Sequence, residues 1–449
     1  MSLPDEWHAL LQPEEELSPR FVREFAESIR VKKLTFGERL HSPFLRPFLL
    51  DATDEARIRS AAETIAAAGE RVVRAALETP SLLRQLGLTE AEVRLAQLEP
   101  GYATAMTASR LDAFLLPDSL HFAEYNAESP AGLGYTQTLC ERFDALPVMS
   151  RFREGRDVRY HRPIDGMLRA LLASYAEWGG SANPPQIAIV DWREVPTWTE
   201  FEILRDAFVA AGVPTIVCDP RELTFARGEL NAHGRRIDLV YRRVLINDIV
   251  SRSDECRALV DAYAARAVCV ANTFRCKIPH KKAFFAVLTD PRNASLFSSA
   301  ELEAIGAHVP WTRVLEDAST ETNGRQADLL EISRERRDRL VLKPNDEYGG
   351  TGVLLGWETG AGAWEQALQS ALRDPVGTWI VQERIPVRRE VFPMFDSEGR
   401  VTMRDMLVDL APYLFRGRMG GYLTRLSTTG LANVTSGGGQ VPAFVVGGA

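Results

Sequence analysis

Residues 343–352 read KPNDEYGGTG, directly after the apolar run LVL at 340–342. A strand here delivers Lys343 at its end, and Pro344 interrupts regular pairing. Gly349, Gly350 and Gly352 lack side chains, so the following loop can bring backbone amides close to an anion. Lys343 can meet a phosphate as a point charge. No GK[ST] closes the loop, so it is not a Walker loop. The same residues also read as a tight β-hairpin turn.

A second constellation lies far upstream, in SRLDAFLLPDSLHFAEYNAESPAG (109–132). RLDAFLL and LHFAEYN alternate like two antiparallel strands around the turn-prone Pro117-Asp118. Arg110 and Asp112 are two residues apart, as are Glu124 and Asn126, so each pair shares a strand face. Two carboxylates and an amide oxygen are hard ligands suited to magnesium, and Arg110 beside them can neutralise a transferring phosphoryl group. The competing reading is a surface salt bridge between Arg110 and Asp112, with Glu124 solvated.

The rest of the chain frames these two motifs. With 449 residues, 45% hydrophobic and 25% charged, it can bury a large core and is long enough for several subdomains. A net charge of −8 gives no broad positive field for nucleic acid. Five scattered cysteines lack CxxC spacing and read as reduced thiols. The first 19 residues carry charges where a signal peptide needs an apolar core, and no apolar run approaches the roughly 20 residues of a membrane helix. A cytoplasmic protein with no membrane or nucleic-acid partner is expected.

From Ser18 to about Leu95 the text has helical amphipathic spacing, as in ARIRSAAETIAAAGERVVRAALE. Between about Gly166 and Ala265, QIAIVDW, EFEILRDAFVAAG, VPTIVCDP and RIDLVYRR alternate strand and helix as a Rossmann-like unit. No GxGxxG opens its helix, which argues against a dinucleotide. Trp192, Arg193, Arg242 and Arg243 can bind an acidic or peptide-like substrate there, or pair with local carboxylates. From Asn272 onward, strands such as LVLKP, TWIVQERI and TMRDMLVDL alternate with helical text.

Taken together, RLD, EYN, HKKA, LKPNDEYGG, VQERI and LTRLSTTGLANVTSGGGQ resemble the circularly permuted ATP-grasp enzymes. That group includes glutathionylspermidine synthetase and eukaryotic glutathione synthetase, and the resemblance covers most of the chain after about residue 96. It implies an α/β (α+β) fold with residues 1–95 as a helical N-terminal layer and 96–165 carrying the metal-site strands. Residues 166–265 would then be the Rossmann-like pre-ATP-grasp subdomain, and 266–449 the nucleotide-binding subdomains with a C-terminal glycine loop.

Carried over residue by residue, the resemblance gives Asp112, Glu124, Asn126 and Glu347 as magnesium ligands and Arg110 as the group that stabilises phosphoryl transfer. Lys343 and Lys282 would contact ATP phosphates, with Lys281 competing for the second role. Gly349 and Gly350 would cradle phosphate. In IVQERI, Gln382, Glu383 and Ile385 would read adenine; an ordinary core strand is the alternative. Arg425 would act on the acceptor side, Glu128 and Ser129 would touch substrate, and the SGGGQ of 436–440 would form a glycine lid. Ser427 stands where glutathione synthetases carry a lysine, and Asp409 is a weaker candidate for a ribose or metal contact.

What the resemblance implies is an ATP- and Mg2+-dependent ligase that joins a small-molecule or peptide carboxylate to an amine through an acylphosphate. Two other readings share the ATP site: a kinase releasing a phosphorylated product, and a nucleotide-binding assembly or regulatory protein without ligation. Nothing resembles a cysteine-histidine amidase domain.

Overall fold

The computed structural model describes residues 2–36, 39–322, 324–347, 349–374, 378–429 and 438–447. It is a mixed α/β structure whose central element is an antiparallel sheet drawn from both ends of the chain. In order, its strands are Gly439–Val441, Arg418–Ser427, Val401–Phe415, Ala108–Leu115 and Leu120–Asn126. Arg388–Phe395 pairs with the outer half of Val401–Phe415. Thus residues 108–126 lie beside residues 401–427, although just over 300 positions separate the paired Arg110 and Tyr413.

The 27-residue helix Ala52–Glu78 packs on this sheet. Asp51 caps it, its Oδ1 accepting from Thr53 N at 2.7 Å. Ile58, Ala62, Ile65, Val72 and Ala76 recur at helical spacing and are fully buried. Small alanines on this stripe let the helix approach a sheet whose own inner face carries Leu111, Phe122, Leu410 and Leu414.

The N-terminal region is not helical throughout. Phe48–Asp51 forms a strand parallel to Ala443–Gly447, which also pairs with Asp157–Arg159. Phe48, Leu49 and Leu50 are all buried, and a consecutive apolar run bounded by Pro47 and a capping aspartate is too short for a helix.

A four-stranded parallel sheet follows, in the order Cys269–Ala271, Leu239–Arg242, Ile187–Val190, Thr215–Cys218. Ile187 through Val190 are buried on both faces, which is why the run is continuously apolar rather than alternating. Helix Trp198–Ala210 makes the crossover and ends before Gly212, whose φ of 84° suits a residue without Cβ.

The last layer is an antiparallel sheet of Thr312–Val314, Trp379–Glu383, Leu340–Pro344 and Leu354–Leu355. Its core gathers Leu342, Val381, Trp364 and Leu368. Trp364 comes from helix Ala361–Leu372 and donates Nε1 to Ser333 O at 2.9 Å. All five cysteines are buried and unbridged. No helix among the described residues is long and apolar enough to cross a membrane. Of the expected glycine lid at 436–440, residues 436 and 437 fall outside the described residues, as do 430–435 before it; Gly439 and Gln440 belong to the edge strand.

Candidate active site

The strand pair Ala108–Leu115 and Leu120–Asn126 sets Arg110 opposite Asn126 and Asp112 opposite Glu124. All four side chains therefore come from facing positions on two neighbouring strands. Immediately after Asp112 the register shifts, so that Ala113 faces Phe122 and Ala123 drops out of the pairing. This bulge turns the Ala123 carbonyl toward Lys343, whose Nζ donates to it at 3.4 Å.

Asp112 is the hub of the site. Its Oδ1 accepts from Arg110 Nε at 3.0 Å and Asn126 Nδ2 at 3.1 Å, and its Oδ2 from Arg425 Nη2 at 2.5 Å. Arg425 lies opposite Asp409 in the sheet and donates Nε to Asp409 Oδ2 at 2.6 Å. Burial opposes ionisation of Asp112, yet Arg110 and Arg425 hold its carboxyl down at about 2. Asp409 is fully buried; burial dominates there and pushes its carboxyl up despite Arg425. The two acids thus differ in character, with Asp112 firmly anionic and Asp409 the one that resists charge.

Lys343 reaches the same place from the other sheet. Its Nζ donates to Gln382 Oε1 at 2.6 Å, and Gln382 is itself fixed by donation to Thr312 Oγ1 at 3.1 Å. Loss of hydration lowers the Lys343 ammonium to about 8, against the pull of Glu124 and Asp112. Lys282 Nζ lies 3.5 Å from Glu124 Oε2 and donates to the Glu347 carbonyl. The glycines of the loop have φ of 65° at Gly349, 79° at Gly350 and 72° at Gly352, conformations that side-chain-bearing residues rarely adopt.

Between the two sheets runs a cavity of about 170 Å3. Its lining combines apolar Phe114, Val341, Leu355, Trp357, Ile385 and Val387 with charged Asp112, Glu124, Lys343, Asp409 and Arg425. Gly349, Gly350, Gln382 and Glu383 complete it. Apolar side chains together with lysine, arginine and carboxylates suit a ligand with an aromatic head and an anionic tail.

Of the residues expected from sequence, the cavity lining contains Asp112, Glu124, Lys343, Gly349, Gly350, Gln382, Glu383, Ile385 and Arg425. Arg110 and Asn126 stand behind it, bonded to Asp112. Glu347 is exposed and lines a neighbouring cavity with Asp346 and Lys281. Glu128 is buried beneath the site, where its carboxylate meets Lys277 at 3.2 Å and Arg242 at 3.4 Å. Ser129 donates its hydroxyl to Arg243 O at 3.0 Å. The two lysines of HKKA face different ways. Lys282 turns to Glu124, whereas Lys281 is held by Glu92 at 2.8 Å and Asp346 at 2.5 Å.

In the parallel sheet, Arg193 pairs with Glu222, and Trp192 Nε1 donates to Asp248 Oδ2 at 3.1 Å. Ser427 is buried and shares a hydrogen bond with Thr429 at 3.1 Å. Sequence reasoning did not find Phe114, Trp357 and Val387, since single apolar residues carry no positional signal. It also passed over Asp346, although the residue lies inside the quoted loop.

Among the described residues no three His, Cys, Asp or Glu side chains converge into a cage. Glu124 and Asp112 still fit magnesium that arrives with phosphates, because such an ion needs only one or two protein carboxylates.

Residues 116–435 match the model of the family described as circularly permuted ATP-grasp type 2. A protein of Frankia casuarinae named "Putative glutamate--cysteine ligase 2-2" is 24% identical over 336 residues, 72% of this chain and 36% of that protein. The chain therefore spans about a third of the length of that curated relative. Among solved structures, a glutathione synthetase-like effector, GSS30, from Globodera pallida in apo form superposes with a TM-score of 0.62 at 11% identity. That match covers 97% of this chain and 99% of the effector, and it is a likeness of fold.

Proposed function

Because the chain belongs to the circularly permuted ATP-grasp type 2 family, we propose that it uses ATP and Mg2+ to join a carboxylate to an amine, releasing ADP and phosphate. The observation that carries this reading is Asp112, tied to Arg110 and Arg425 in the wall of a cavity that also receives Lys343 and two loop glycines. The relative named as a glutamate–cysteine ligase supports the same class of reaction.

A carboxylate resists attack because it is anionic and lacks a good leaving group. Phosphorylation by the ATP γ-phosphate converts it to an acylphosphate, which an amine can attack with departure of phosphate. Glu124 and Asp112, with Asn126 beside them, would hold magnesium, which supplies charge neutralisation across the phosphates. Lys343 from the opposite sheet and Lys282 from the start of helix Ala283–Thr289 offset phosphate charge; the ammonium of Lys343, lowered to about 8 by lost hydration, is still protonated at neutral pH, and an adjacent anion favours that form further. Arg425 and Arg110 are held by Asp112 in fixed orientation, so little reorganisation is needed when charge develops near them. The apolar side chains of Phe114, Trp357 and Ile385 take the adenine, beside Gln382 and Glu383.

The test is incubation with ATP, Mg2+ and pools of amino acids, small peptides and amines, followed by mass spectrometry. The expected product weighs the sum of an acid and an amine less one water, with ADP formed in equal amount. A phosphorylated acid accumulating alone would replace the ligase by a kinase. ATP binding with no turnover in any pool would favour a non-ligating partner.

A further inference from the structure

Along the neighbouring cavity, which Glu92, Lys281 and Asp346 line, runs a chain of largely buried charges that the proposed chemistry does not use. It runs from Glu92 to Lys281 (2.8 Å), Lys281 to Asp346 (2.5 Å), Asp346 to Lys277 (2.8 Å), Lys277 to Glu128 (3.2 Å) and Glu128 to Arg242 (3.4 Å). Side-chain exposure is 3% for Glu92 and Lys281 and 1% for Lys277 and Glu128, while Asp346 at 21% is the partly exposed member at the loop. Signs alternate along the whole chain, so each ion has an opposite neighbour and the three carboxylates balance the three cations. Burying ions is costly and seldom a route to stability; retaining so many is more readily explained by a need for fixed geometry.

The members come from separate parts of the fold. Glu92 is on helix Glu90–Gln97, Lys277 is on helix Lys277–His280 and Lys281 follows it. Asp346 is in the phosphate loop, and Glu128 is in the segment after strand Leu120–Asn126. We propose that Asp346 is a positioning residue for the phosphate loop, and that through Lys277 and Glu128 it ties that loop to the segment that holds Arg110. This inference rests on the nucleotide-site reading above.

The loop's construction gives Asp346 this weight. Asn345 fixes the loop root, accepting Ala283 N at Oδ1 (2.7 Å) and donating Nδ2 to Leu86 O (2.9 Å). Beyond Asp346, Gly349, Gly350 and Thr351 are exposed, and the glycines have no side chains to fix their backbone. The direction in which the loop leaves its root is therefore set at Asn345, at Asp346 and at the Glu347 carbonyl, which accepts from Lys282. At the far end, Glu128 accepts from Ile246 N and Arg242, while its neighbour Ala131 offers its carbonyl to Arg110 Nη1 at 3.0 Å and the Tyr413 hydroxyl at 2.8 Å. A shift of the loop root would thus reach the guanidinium beside Asp112 through two ionic contacts, Asp346–Lys277 and Lys277–Glu128, and a short backbone segment.

The experiment measures two ligands by calorimetry on the full chain: the Mg2+ complex of a non-hydrolysable ATP analogue, and adenosine, which lacks phosphates. Asp346→Asn should weaken analogue binding about tenfold or more, while adenosine affinity stays within about twofold. Lys281→Met keeps the Lys277 pair and should show a smaller loss with the same ligand selectivity; it decides the matter if Asp346→Asn does not fold. The double variant Lys277→Met/Asp346→Asn should lose little beyond Asp346→Asn alone, since both changes break one chain. Equal losses for analogue and adenosine would mean general damage and overturn the positioning role. Unchanged analogue binding in folded Asp346→Asn would overturn it too. Failure of the unaltered chain to bind the analogue would instead remove the nucleotide-site reading, and this inference with it.

Discussion

Replacing Lys343 by methionine should separate binding from stability in opposite directions. Methionine keeps most of the side-chain length and removes the ammonium. The Lys343 value falls from the ordinary 10.5 to about 8, chiefly through lost hydration. That fall corresponds to about 3 kcal/mol set against the charged form in the folded chain. Against this stand two contacts that lysine makes and methionine does not, to Gln382 Oε1 at 2.6 Å and Ala123 O at 3.4 Å. Leaving those acceptors without their donor costs about 1–2 kcal/mol. The balance is a gain of about 1–2 kcal/mol for Lys343→Met at pH 7.

The pH dependence has a definite sign. Because the folded value lies below the unfolded one, the folded chain loses its proton first. The penalty is complete below pH 8 and fades as pH rises from 8 towards 10.5. The stability advantage of the variant should narrow over that window. Binding should move the other way, with a loss of about 100-fold in affinity for Mg2+ and an ATP analogue, since a phosphate would lose a desolvated cationic partner. Thermal unfolding at pH 7 and pH 10 with calorimetry at pH 7 provides the measurements. A variant that unfolds more easily at pH 7 and still binds the analogue like the unaltered chain would refute both halves of the reasoning.

Three further outcomes follow from the geometry. Asp112→Asn should destabilise the chain by about 3–5 kcal/mol in urea unfolding, because buried Arg110 loses its carboxylate partner and Arg425 keeps only Asp409; it should also abolish ATP cleavage. Asn126→Ala should cost only about 1 kcal/mol in the same assay, for one hydrogen bond of 3.1 Å to Asp112, yet remove most turnover. Far from the site, Glu55 is held at about 2 although burial opposes it, by hydrogen bonds from His161 at 2.5 Å and from Arg159. A depressed carboxyl stabilises fully above its unfolded value, so about 3 kcal/mol should be lost as pH falls from 4.5 towards 2. Glu55→Gln should flatten that acid limb, as read by Tm against pH.

How far the fold can be read from sequence depends on the range of the interactions. The hairpin that pairs Asp112 with Glu124 is legible because two alternating runs flank one turn. The parallel strand Ile187–Val190 is legible because burial on both faces requires an unbroken apolar run. The bulge at Ala123 is not, since nothing in FAEYN marks the residue that leaves the ladder. Nor is the contact from Arg425 to Asp112, which spans 313 positions and depends on how the sheet closes. Phe48–Asp51 reads as the lead-in to a helix because its partner, Ala443–Gly447, lies at the other end of the chain. Asp346 is hidden for a different reason: inside a polar loop it looks like a turn residue, and only the buried lysines that meet it give it weight.

The central claim is that ATP activates a carboxylate by phosphorylating it at the site built around Asp112 and Lys343. It is tested most directly by following oxygen. Acid substrates carrying 18O in their carboxylates are supplied with ATP, Mg2+ and amines, and the phosphate released is analysed by mass spectrometry. The account predicts one 18O in each phosphate formed with ADP, and none when Lys343→Ala is used because turnover stops. Release of AMP and pyrophosphate, or ADP with unlabelled phosphate, would contradict it.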